Sequence, residues 1–524
     1  MFSLYDKNTY KNKLITPNTI MTKEQENFTK ELIAFAQERG FVWGPSPEIY
    51  GGLSGFYTYA PLGKLLKNNV EDTIRRVFQQ HDFWEVECPI IAPASVWQAS
   101  GHLGGFTDPL VKDVDGGVHR ADHLIEEALT KKGIDPAPIL AKNPDLQTLI
   151  DEHNVVAPNG KALQKGIINH NLMLRTNISL DTEAYNRPET ATTTYLPFTR
   201  YFDYFRKKLP FGVFQIGKAF RNEISPRQFI LRMREFTQAE GQLFIFKDQK
   251  NNYDGYNKVK DDVLPFWPYT HQDSNKQPEQ VTIAQARENG WLNNDAYAYT
   301  LALSYKLFLS VGIPKELIRL RQHGPDEKAF YADDAWDIEV QLKSFGWMEM
   351  CGIHDRTDYD LSQHQEHSKK KLVVSDETHK QELPHILEIA FGVDRMVFVL
   401  LDTLYNPQEI SEGKNTFHIA AHIAPIKAAV YPLVKKDGMP EIAQELYNQI
   451  NQVLVCIYDQ SGSIGRRYLR AAEQGIPYSI TIDQQTLEDN TVTIRDRDTQ
   501  EQERVAKDDI VSELQKRIST SKLF

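Results

Sequence analysis

The fold is decided by Phe220-Arg221-Asn222-Glu223-Ile224-Ser225-Pro226-Arg227, followed closely by Leu231-Arg232-Met233-Arg234-Glu235-Phe236. Two charged, strand-like segments flank a loop that contains a proline, which predicts an unusual hairpin. A run of charges is usually the solvated face of an edge hairpin. Here, arginines and an aromatic residue converge with a carboxylate that can accept a hydrogen bond from an amino group. These are the groups needed to hold a nucleotide.

Further strand-like segments surround this hairpin along the chain. The predicted strands are 84–89, 211–223, 233–246, 337–342, 346–352 and 385–391. Hairpins and long excursions separate most of them, so the pattern favours a largely antiparallel sheet over a doubly wound parallel one. Upstream, apolar residues recur at helical spacing within 64–80, at Leu66, Val70, Ile74, Val77 and Phe78. We expect an α+β fold for this part.

After Asn406-Pro407 the pattern changes to alternating strands and helices. Strands are predicted at 418–421, 453–458 and 478–483, and helices at 440–451 and 464–474. The expected organisation is a loose leader at 1–22, a catalytic domain at 23–413 with polar insertions at about 107–181 and 248–294, and an α/β domain at 414–524.

Composition limits the possible functions. The 524 residues carry 41% apolar and 25% charged side chains, as in ordinary globular proteins with several domains. A net charge of −11 argues against indiscriminate binding to a phosphate backbone, so nucleic-acid contacts must be local. No run of 18 apolar residues and no signal-peptide core occurs, which predicts a cytoplasmic protein without a membrane partner. The leader lacks the Arg-rich, acid-poor composition of a transit peptide.

The hairpin resembles the second signature motif of class II aminoacyl-tRNA synthetases, F-R-x-E, a variable loop, then an Arg four positions before a Phe. The resemblance implies that Arg221 holds the α-phosphate of ATP and stabilises the transition state. It also implies that Glu223 reads the adenine amino group, Phe236 stacks on the adenine and Arg232 binds the β- and γ-phosphates. The ATP-binding residues implied here are Arg221, Asn222, Glu223, Leu231, Arg232, Met233, Arg234, Glu235 and Phe236.

Two other segments resemble the remaining motifs of that class, in the family's order. The helix from Lys64 and the strand ending in Pro89 resemble the first motif, which forms the dimer interface in the family and implies a homodimer. Phe391-Gly392-Val393-Asp394-Arg395 resembles the third. There, Gly392 would let adenine approach, and Arg395 would cover its other face and act with Arg221 in catalysis. The further ATP contacts implied are Glu349, Met350, Gly392, Val393, Asp394 and Arg395.

Several segments resemble glycyl-tRNA synthetases of the dimeric type, namely 48–52, 100–108, 120–122, 187–191, 321–323 and 461–468. This resemblance implies that the chain activates glycine with ATP and attaches it to the 3′ end of tRNA(Gly). Glu189 and Glu240 would hold the α-ammonium group. Because glycine has no side chain, selection must come from ammonium contacts and from exclusion of a Cβ. The substrate-binding residues implied are Arg120, Glu189, Phe236, Glu240, Arg356, Glu388, Ala390 and Gly392.

A metal site and several departures from the family pattern follow from the same resemblance. Glu349 and Glu388 are implied to bind Mg²⁺, which prefers hard oxygen ligands. Relatives carry zinc-binding cysteines where this chain has 113–117, so we predict no zinc. Ala390 stands where the family usually has Ser, which removes a hydroxyl from the pocket. Gly241 replaces a residue that is larger in relatives.

The tail resembles the anticodon-binding domain of several class II enzymes. Its arginines could meet tRNA phosphates or bases, or could be solvated helix charges: Arg466, Arg467, Arg470, Arg495 and Arg497. Two alternative functions stay open. One is a degenerate paralogue that acts as a binding subunit, although the chain retains the motif arginines. The other, motivated by Ala390, is an enzyme for another small amino acid.

Overall fold

The computed structural model of the protein describes residues 21–140, 144–224, 226, 228–325, 327–375, 380–408 and 417–520. Most of the predicted leader and the predicted domain boundary at 413–414 lie outside these residues. Within the described ranges, no helix is long and apolar enough to cross a membrane.

Helices and strands are numbered here along the chain. The helices are α1 (Lys23–Glu38), α2 (Pro61–Gln80), α3 (Ala94–Ala99), α4 (His102–Gly105), α5 (Ala121–Lys131), α6 (Ala137–Leu140), α7 (Leu146–His153), α8 (Ala191–Tyr195), α9 (Phe198–Tyr204), α10 (Tyr269–Asp273), α11 (Ile283–Glu288), α12 (Asp295–Val311), α13 (Tyr359–Ser368), α14 (Val393–Leu404), α15 (Met439–Asn451), α16 (Ile464–Glu473), α17 (Gln484–Asp489) and α18 (Ile510–Thr520). The strands are β1 (Val42–Trp43), β2 (Thr58–Tyr59), β3 (Phe83–Glu85), β4 (Ile91–Pro93), β5 (Thr107–Lys112), β6 (Val118–Arg120), β7 (Ile168–Asn171), β8 (Leu174–Ile178), β9 (Thr182–Asn186), β10 (Phe211–Phe220), β11 (Glu235–Ile245), β12 (Val263–Trp267), β13 (Glu279–Thr282), β14 (Ile318–Gln322), β15 (Asp334–Leu342), β16 (Gly346–Asp355), β17 (Val374–Ser375), β18 (Gln381–Glu382), β19 (His385–Gly392), β20 (Ala428–Pro432), β21 (Cys456–Tyr458), β22 (Tyr478–Ile482), β23 (Thr491–Asp496) and β24 (Gln502–Ala506).

A nine-stranded sheet lies at the centre of the first 400 residues, in the order β13-β12-β14-β15-β16-β19-β11-β10-β3. Its strands are antiparallel except where β12 meets β14 and where β3 meets β10. The predicted α+β class with a largely antiparallel sheet is confirmed. β12 and β13 extend one edge of this sheet, although they come from the segment 248–294 that the sequence analysis treats as an insertion.

One face of the central sheet is covered by α2, α12 and α14. The five apolar positions that predict α2 are all buried in that core. The helix begins at Pro61, earlier than predicted, because proline suits the first turn, where its missing N–H is not needed. On the other face of the sheet, strand alternation presents polar side chains, and the candidate site lies there.

Within the predicted insertion 107–181, strands β5, β6 and β7 and helices α5 and α7 form a small unit with its own apolar core, whereas β8 pairs with β9 in another sheet. The small unit packs against the loop of the β10–β11 hairpin, where the Asn222 amide donates to the Leu172 carbonyl at 2.8 Å. In the segment 113–117, the Asp113 carboxylate closes the turn by accepting from the amides of Asp115 and Gly117 at 3.0 and 2.8 Å.

The tail forms a five-stranded sheet in the order β21-β20-β22-β23-β24, with α15 packed against it. The predicted strand at 418–421 is wrong, because those residues form no strand and the first strand of this sheet is β20. Its sequence, Ala-Ala-Val-Tyr-Pro, is a continuous apolar run without the alternation that reveals a half-buried strand. The tail also contacts α2, where the Asn69 side chain donates to the carbonyls of Ile423 and Ala424 at 3.0 and 2.8 Å.

Candidate active site

The β10–β11 hairpin brings Arg221 and Phe236 together on the open face of the sheet. The ladder pairs Ala219 with Phe236, and the Arg221 amide continues it by donating to the Arg234 carbonyl at 2.9 Å. The Arg221 guanidinium lies 5.7 Å from the centre of the Phe236 ring and 5.3 Å from that of Phe106. Its Nε donates to the Pro188 carbonyl at 3.1 Å. This leaves a cationic group held beside an aromatic face, as the sequence analysis predicts for a nucleotide site.

The hairpin loop is organised by its own charged residues. Arg232 forms an ion pair with Glu223, with Nη2 to Oε2 at 2.7 Å. Arg234 holds the loop in place through the carbonyls of Glu223 and Ser54, both at 2.7 Å. Glu235 pairs with Lys218 near the surface at 3.1 Å. Ser225 and Arg227 lie outside the described residues.

Arg395 occupies the first turn of α14, directly after β19 ends at Gly392. Its guanidinium donates to the carbonyls of Leu231 and Glu349, at 3.3 and 3.2 Å, so it joins the hairpin loop to β16. A Cβ at Gly392 would lie 3.2 Å from Cγ of Arg395, which is tight. Burial lowers the pKa of Arg395 from its ordinary value, although the guanidinium stays charged at neutral pH.

Five other predicted ATP-binding side chains are buried: Leu231, Met233, Met350, Val393 and Asp394. Met350 and Val393 belong to the apolar core, so any contact they make with a nucleotide comes from their backbone. Glu349 differs from its neighbours because the pairing of β15 with β16 skips Met350. This bulge turns Met350 and Cys351 into the core in succession and leaves Glu349 on the open face.

Three glutamates form a second group on the same face, next to the hairpin. Glu240 faces Ala390 across β11 and β19, and Glu388 lies two pairs further along, opposite Gln242. Glu189 enters from the turn before α8, where Thr192 donates to it at 2.8 Å. The Thr190 hydroxyl donates to Glu240, and the Tyr195 hydroxyl donates to Glu388 at 2.6 Å.

Arg187 positions the turn that carries Glu189. It is buried and donates to the carbonyls of Cys88 and Lys218 at 2.9 and 2.7 Å and to the Gln215 side chain at 2.8 Å. A Cβ on Gly217 would lie 2.3 Å from the Arg187 Nη2, so this strand position must be glycine for the arginine to fit. In the Arg-Pro-Glu-Thr segment, Arg187 therefore fixes the backbone, and Glu189 and Thr190 place their side chains in the site.

The three glutamates have different proton affinities. Burial, together with the neighbouring Glu388 and Glu189, raises the pKa of Glu240 to about 8. Burial also opposes ionisation of Glu189, but His102 and Arg356 hold its pKa well below its usual range. Burial is likewise outweighed at Glu388, where Arg356 and His354 lower the pKa. Two fixed negative charges therefore stand beside a carboxyl group that carries a proton at neutral pH.

Arg356 is the fixed cation of this pocket. It forms a bidentate pair with Asp360 at 2.7 and 2.9 Å and donates to Glu388 at 3.2 Å. Its guanidinium lies 4.5 Å from the centre of the Tyr331 ring. Arg120, predicted for the same pocket, has a different set of carboxylate partners. It forms ion pairs with Asp108 at 3.1 Å and with Asp122. Although burial opposes the shift, the charge of Glu223, in the hairpin loop, also helps to raise the pKa of Arg120.

The structure also separates Glu349 from Glu388, the two residues predicted to bind Mg²⁺. Glu388 faces His354 on β16, five positions beyond Glu349. One of these five residues is taken up by the bulge at Met350, so at about 3.4 Å per residue the separation is roughly 14 Å between Cα atoms, too far for one ion at about 2.1 Å from each ligand. Both Glu388 oxygens already accept hydrogen bonds. Among the described residues, no group of three or more His, Cys, Asp or Glu side chains is arranged to hold a metal.

Sequence reasoning missed several side chains that complete the pocket, foremost His102. Its Nε2 lies 3.5 Å from Glu189, and its Nδ1 lies 2.8 Å from the Ser100 hydroxyl. Thr190 and Tyr195 were likewise without a predicted role. The segments 100–108 and 187–191 were recognised as family-like, but a linear sequence does not show that His102 faces Glu189.

The departure at Gly241 has a local cause. A Cβ there would lie 2.6 Å from the Phe78 ring, which is buried and stacked on Phe214 with centroids 4.8 Å apart. The ring of Phe78, on α2, fills the space that a larger residue at 241 would need.

The tail arginines fall into two groups. Arg467 is buried and donates to the Pro432 and Leu433 carbonyls at 2.6 and 3.3 Å, and Arg497 is buried against the Gly475 and Ile419 carbonyls at 2.9 and 2.7 Å. These two hold the tail together. Arg466 and Arg470 are exposed, and Arg495 lies over the Tyr468 ring at 4.8 Å.

Comparison with known proteins agrees with this geometry. Residues 175–404 match the model of the tRNA synthetase class II core domain (G, H, P, S and T), and residues 427–517 match that of an anticodon binding domain. A Giardia lamblia prolyl-tRNA synthetase in complex with prolyl-adenylate superposes with a TM-score of 0.60 at 13% identity, over 96% of this chain and 81% of its own. A Cryptosporidium parvum prolyl-tRNA synthetase superposes with a TM-score of 0.56 at 12% identity, over 96% and 80%. At such identities the likeness shows the fold alone, and fold and site together define a class II aminoacyl-tRNA synthetase.

Sequence relatives identify the family within that class. A glycine--tRNA ligase from Thermococcus gammatolerans is 39% identical over 92% of this chain and 97% of its own length. Another from Methanocaldococcus jannaschii is 37% identical over 94% and 100%. The chain belongs to the glycine--tRNA ligase family.

Proposed function

We propose that the open face of the central sheet is where this chain activates glycine with ATP and passes it to tRNA(Gly). One observation carries the proposal: the nucleotide group and the glutamate group lie on the same strand. Phe236 and Glu240 are four residues apart on β11 and point to the same face, which separates them by roughly 14 Å. Adenine at one end and the glycine ammonium at the other would leave the α-phosphate between them, beside Arg221.

In the first step, a glycine carboxylate oxygen attacks the α-phosphorus of ATP and pyrophosphate leaves. Negative charge grows on the α-phosphate oxygens, and Arg221 would stabilise it because Pro188 and the two flanking rings already hold the guanidinium in place. Arg395 would cover the adenine and the γ-phosphate. In the second step, a hydroxyl of the 3′-terminal ribose of tRNA attacks the glycyl carbonyl carbon, and AMP leaves.

Arg232 and Glu223 would have to separate before ATP binds in this way. Their ion pair at 2.7 Å occupies both the carboxylate proposed to read adenine and the guanidinium proposed to bind the β- and γ-phosphates. ATP would replace this pair with two charge-assisted contacts of its own.

Glycine would be recognised by the three glutamates. Its ammonium group has three N–H donors, and Glu189 and Glu388 supply fixed negative charge while Glu240 gives up its proton as the cation arrives. Ala390 lies between Glu240 and Gly352 in the sheet, so its methyl group narrows the pocket next to the ammonium site. A larger amino acid would need space that this row of residues fills.

Magnesium fits best at Glu349. The bulge at Met350 presents this carboxylate on the open face next to Arg395, and ATP phosphates would complete the oxygen ligands. A bound Mg²⁺ would neutralise charge on the leaving pyrophosphate. We keep the prediction that the chain needs no zinc.

We further propose a cytoplasmic homodimer. The support is the free edge of the central sheet at β3, where Trp84 and Tyr204 are 54% and 67% exposed and their rings lie 6.0 Å apart. Exposed aromatic rings at a sheet edge favour a subunit contact. The domain division at 413–414, with tRNA(Gly) contacted by the exposed tail arginines Arg466 and Arg470, belongs to the same proposal.

The deciding experiment is amino-acid-dependent exchange of labelled pyrophosphate into ATP, run with each standard amino acid. Exchange with glycine alone supports the proposal. Exchange chiefly with alanine or serine would show that Ala390 has changed the specificity, and no exchange with any amino acid would leave a binding subunit as the remaining function.

A further inference from the structure

A buried ion pair joins the first-motif helix to the nucleotide site. The Nζ of Lys67 on α2 lies 2.6 Å from Oδ1 of Asp394 on α14, and the two side chains are only 4% and 2% exposed. Lys67 also donates to the Thr237 hydroxyl at 2.6 Å. The Tyr59 hydroxyl donates to the same Asp394 oxygen at 2.6 Å, and the Thr237 amide donates to the other at 2.5 Å.

The two residues to which Lys67 donates hydrogen bonds are chain neighbours of proposed ATP ligands. Thr237 follows Phe236 on β11, and side chains alternate along a strand, so Phe236 faces the open side while Thr237 faces α2. Asp394 precedes Arg395 in the first turn of α14. Asp394 therefore connects β11, which carries Phe236, to α14, which carries Arg395. This connection lies on the face of the sheet opposite the candidate site.

Stability alone does not account for an ion pair at this position. Burial lowers the pKa of Lys67 even though Asp394 opposes the shift, which measures the cost of removing the ammonium group from water. Apolar residues of similar volume often stabilise a core as well as a buried ion pair does. Unlike an apolar contact, a hydrogen-bonded ion pair fixes the relative position of its two side chains, because each donor must lie at hydrogen-bond distance from its acceptor.

We propose that Lys67 is a positioning residue for ATP. Through Asp394 and Thr237 it fixes the Phe236 ring and the Arg395 guanidinium relative to each other. The two side chains can then contact opposite faces of the adenine at the same time. This inference rests on the proposed placement of ATP between those two side chains.

The glycine pocket is held by other contacts. Arg187 anchors the turn with Glu189 to β10 and Cys88, while Tyr195 and Arg356 hold Glu388. None of these contacts involves α2. A substitution of Lys67 should therefore lower kcat/KM for ATP and leave KM for glycine unchanged.

The test compares Lys67→Met with Asn69→Ala, which removes hydrogen bonds from the same helix on the side of the tail. For Lys67→Met, kcat/KM for ATP in glycine-dependent pyrophosphate exchange should fall between about tenfold and a hundredfold, as expected when reacting groups move by up to 1 Å. KM for glycine should stay within about twofold. Asn69→Ala should leave both unchanged.

If Lys67→Met does not fold, a variant that removes a single hydrogen bond of Lys67 tests the same proposal. Thr237→Val removes only the hydroxyl that accepts from Lys67, and should lower kcat/KM for ATP about threefold with glycine unaffected. The inference is overturned if the folded variants keep the ATP parameters of the wild type, or if ATP and glycine parameters fall in the same proportion. Phe236→Ala separates the two proposals, because no ATP defect in that variant would overturn the ATP site itself.

Discussion

Replacing Glu240 with Gln should stabilise the protein, and by more at higher pH. Glu240 is 3% exposed and its pKa in the folded chain is raised from 4.5 to about 8. Between these two values the folded state keeps a proton that the unfolded state has released. Stability therefore falls as the pH rises from 4.5 towards 8. Gln resembles the protonated acid and cannot ionise, so Glu240→Gln should not show this loss.

The size of the effect follows from the two pKa values. One pKa unit corresponds to about 1.4 kcal/mol, so the wild type should lose about 3 kcal/mol relative to Glu240→Gln by pH 7 and about 4 kcal/mol by pH 8. Near pH 4.5 the two proteins should be almost equally stable. The Thr190 hydroxyl can still donate to the Gln carbonyl, so the variant keeps the local hydrogen bond.

Urea unfolding of both proteins at pH 5, 6, 7 and 8, followed by tryptophan fluorescence, measures this difference. Glu388→Gln is the matched control with the opposite sign, because Arg356 and Tyr195 stabilise the ionised Glu388. It should be less stable than the wild type at pH 7 by about 1–3 kcal/mol. A difference between Glu240→Gln and wild type that does not change with pH would refute the electrostatic reasoning.

Four further variants test individual residues. Arg221→Ala should lower pyrophosphate exchange by at least about a hundredfold with an unchanged melting temperature, because its charge acts on the transition state; near-normal turnover would contradict the assignment. Ala390→Ser adds a hydroxyl beside Glu240 and should lower KM for glycine by about twofold to tenfold, and an unchanged or higher KM would count against this placement of the ammonium group. Arg467→Ala leaves buried carbonyls without a donor and should destabilise the tail by at least about 2 kcal/mol. Arg466→Ala should change stability by less than about 0.5 kcal/mol and instead raise KM for tRNA, so equal melting of the two variants would contradict this division of the tail arginines.

Much of the architecture could be predicted, because the helices and strands concerned have a clear hydrophobic periodicity in the local sequence. The periodicity of α2, the strands of the β10–β11 hairpin and the alternation in the tail each depend on residues close in sequence. Predictions failed where the local signal was ambiguous. The apolar run of β20 shows no period, so the first tail strand was predicted ten residues too early.

The site divides in the same way. Arg221, Phe236 and Arg395 could be singled out from the sequence, because they occur in short motifs that resemble those of class II synthetases, and the structure brings Arg221 beside Phe236. The sequence could not show that Arg120 pairs with Asp108 and Asp122, or that Glu388 is too far from Glu349 to share an ion. Nor could it show that Arg467 is buried while Arg466 is exposed, although they are adjacent.

The class, the family and the order of the motifs can be read from residue types and their local spacing. Which charged groups pair with each other depends on how distant parts of the chain come together in the fold. His102 reaches Glu189 and Lys67 reaches Asp394 across 87 and 327 residues of chain. Whether a buried glutamate keeps its proton depends on its neighbours in space, and those are set only when the sheet forms.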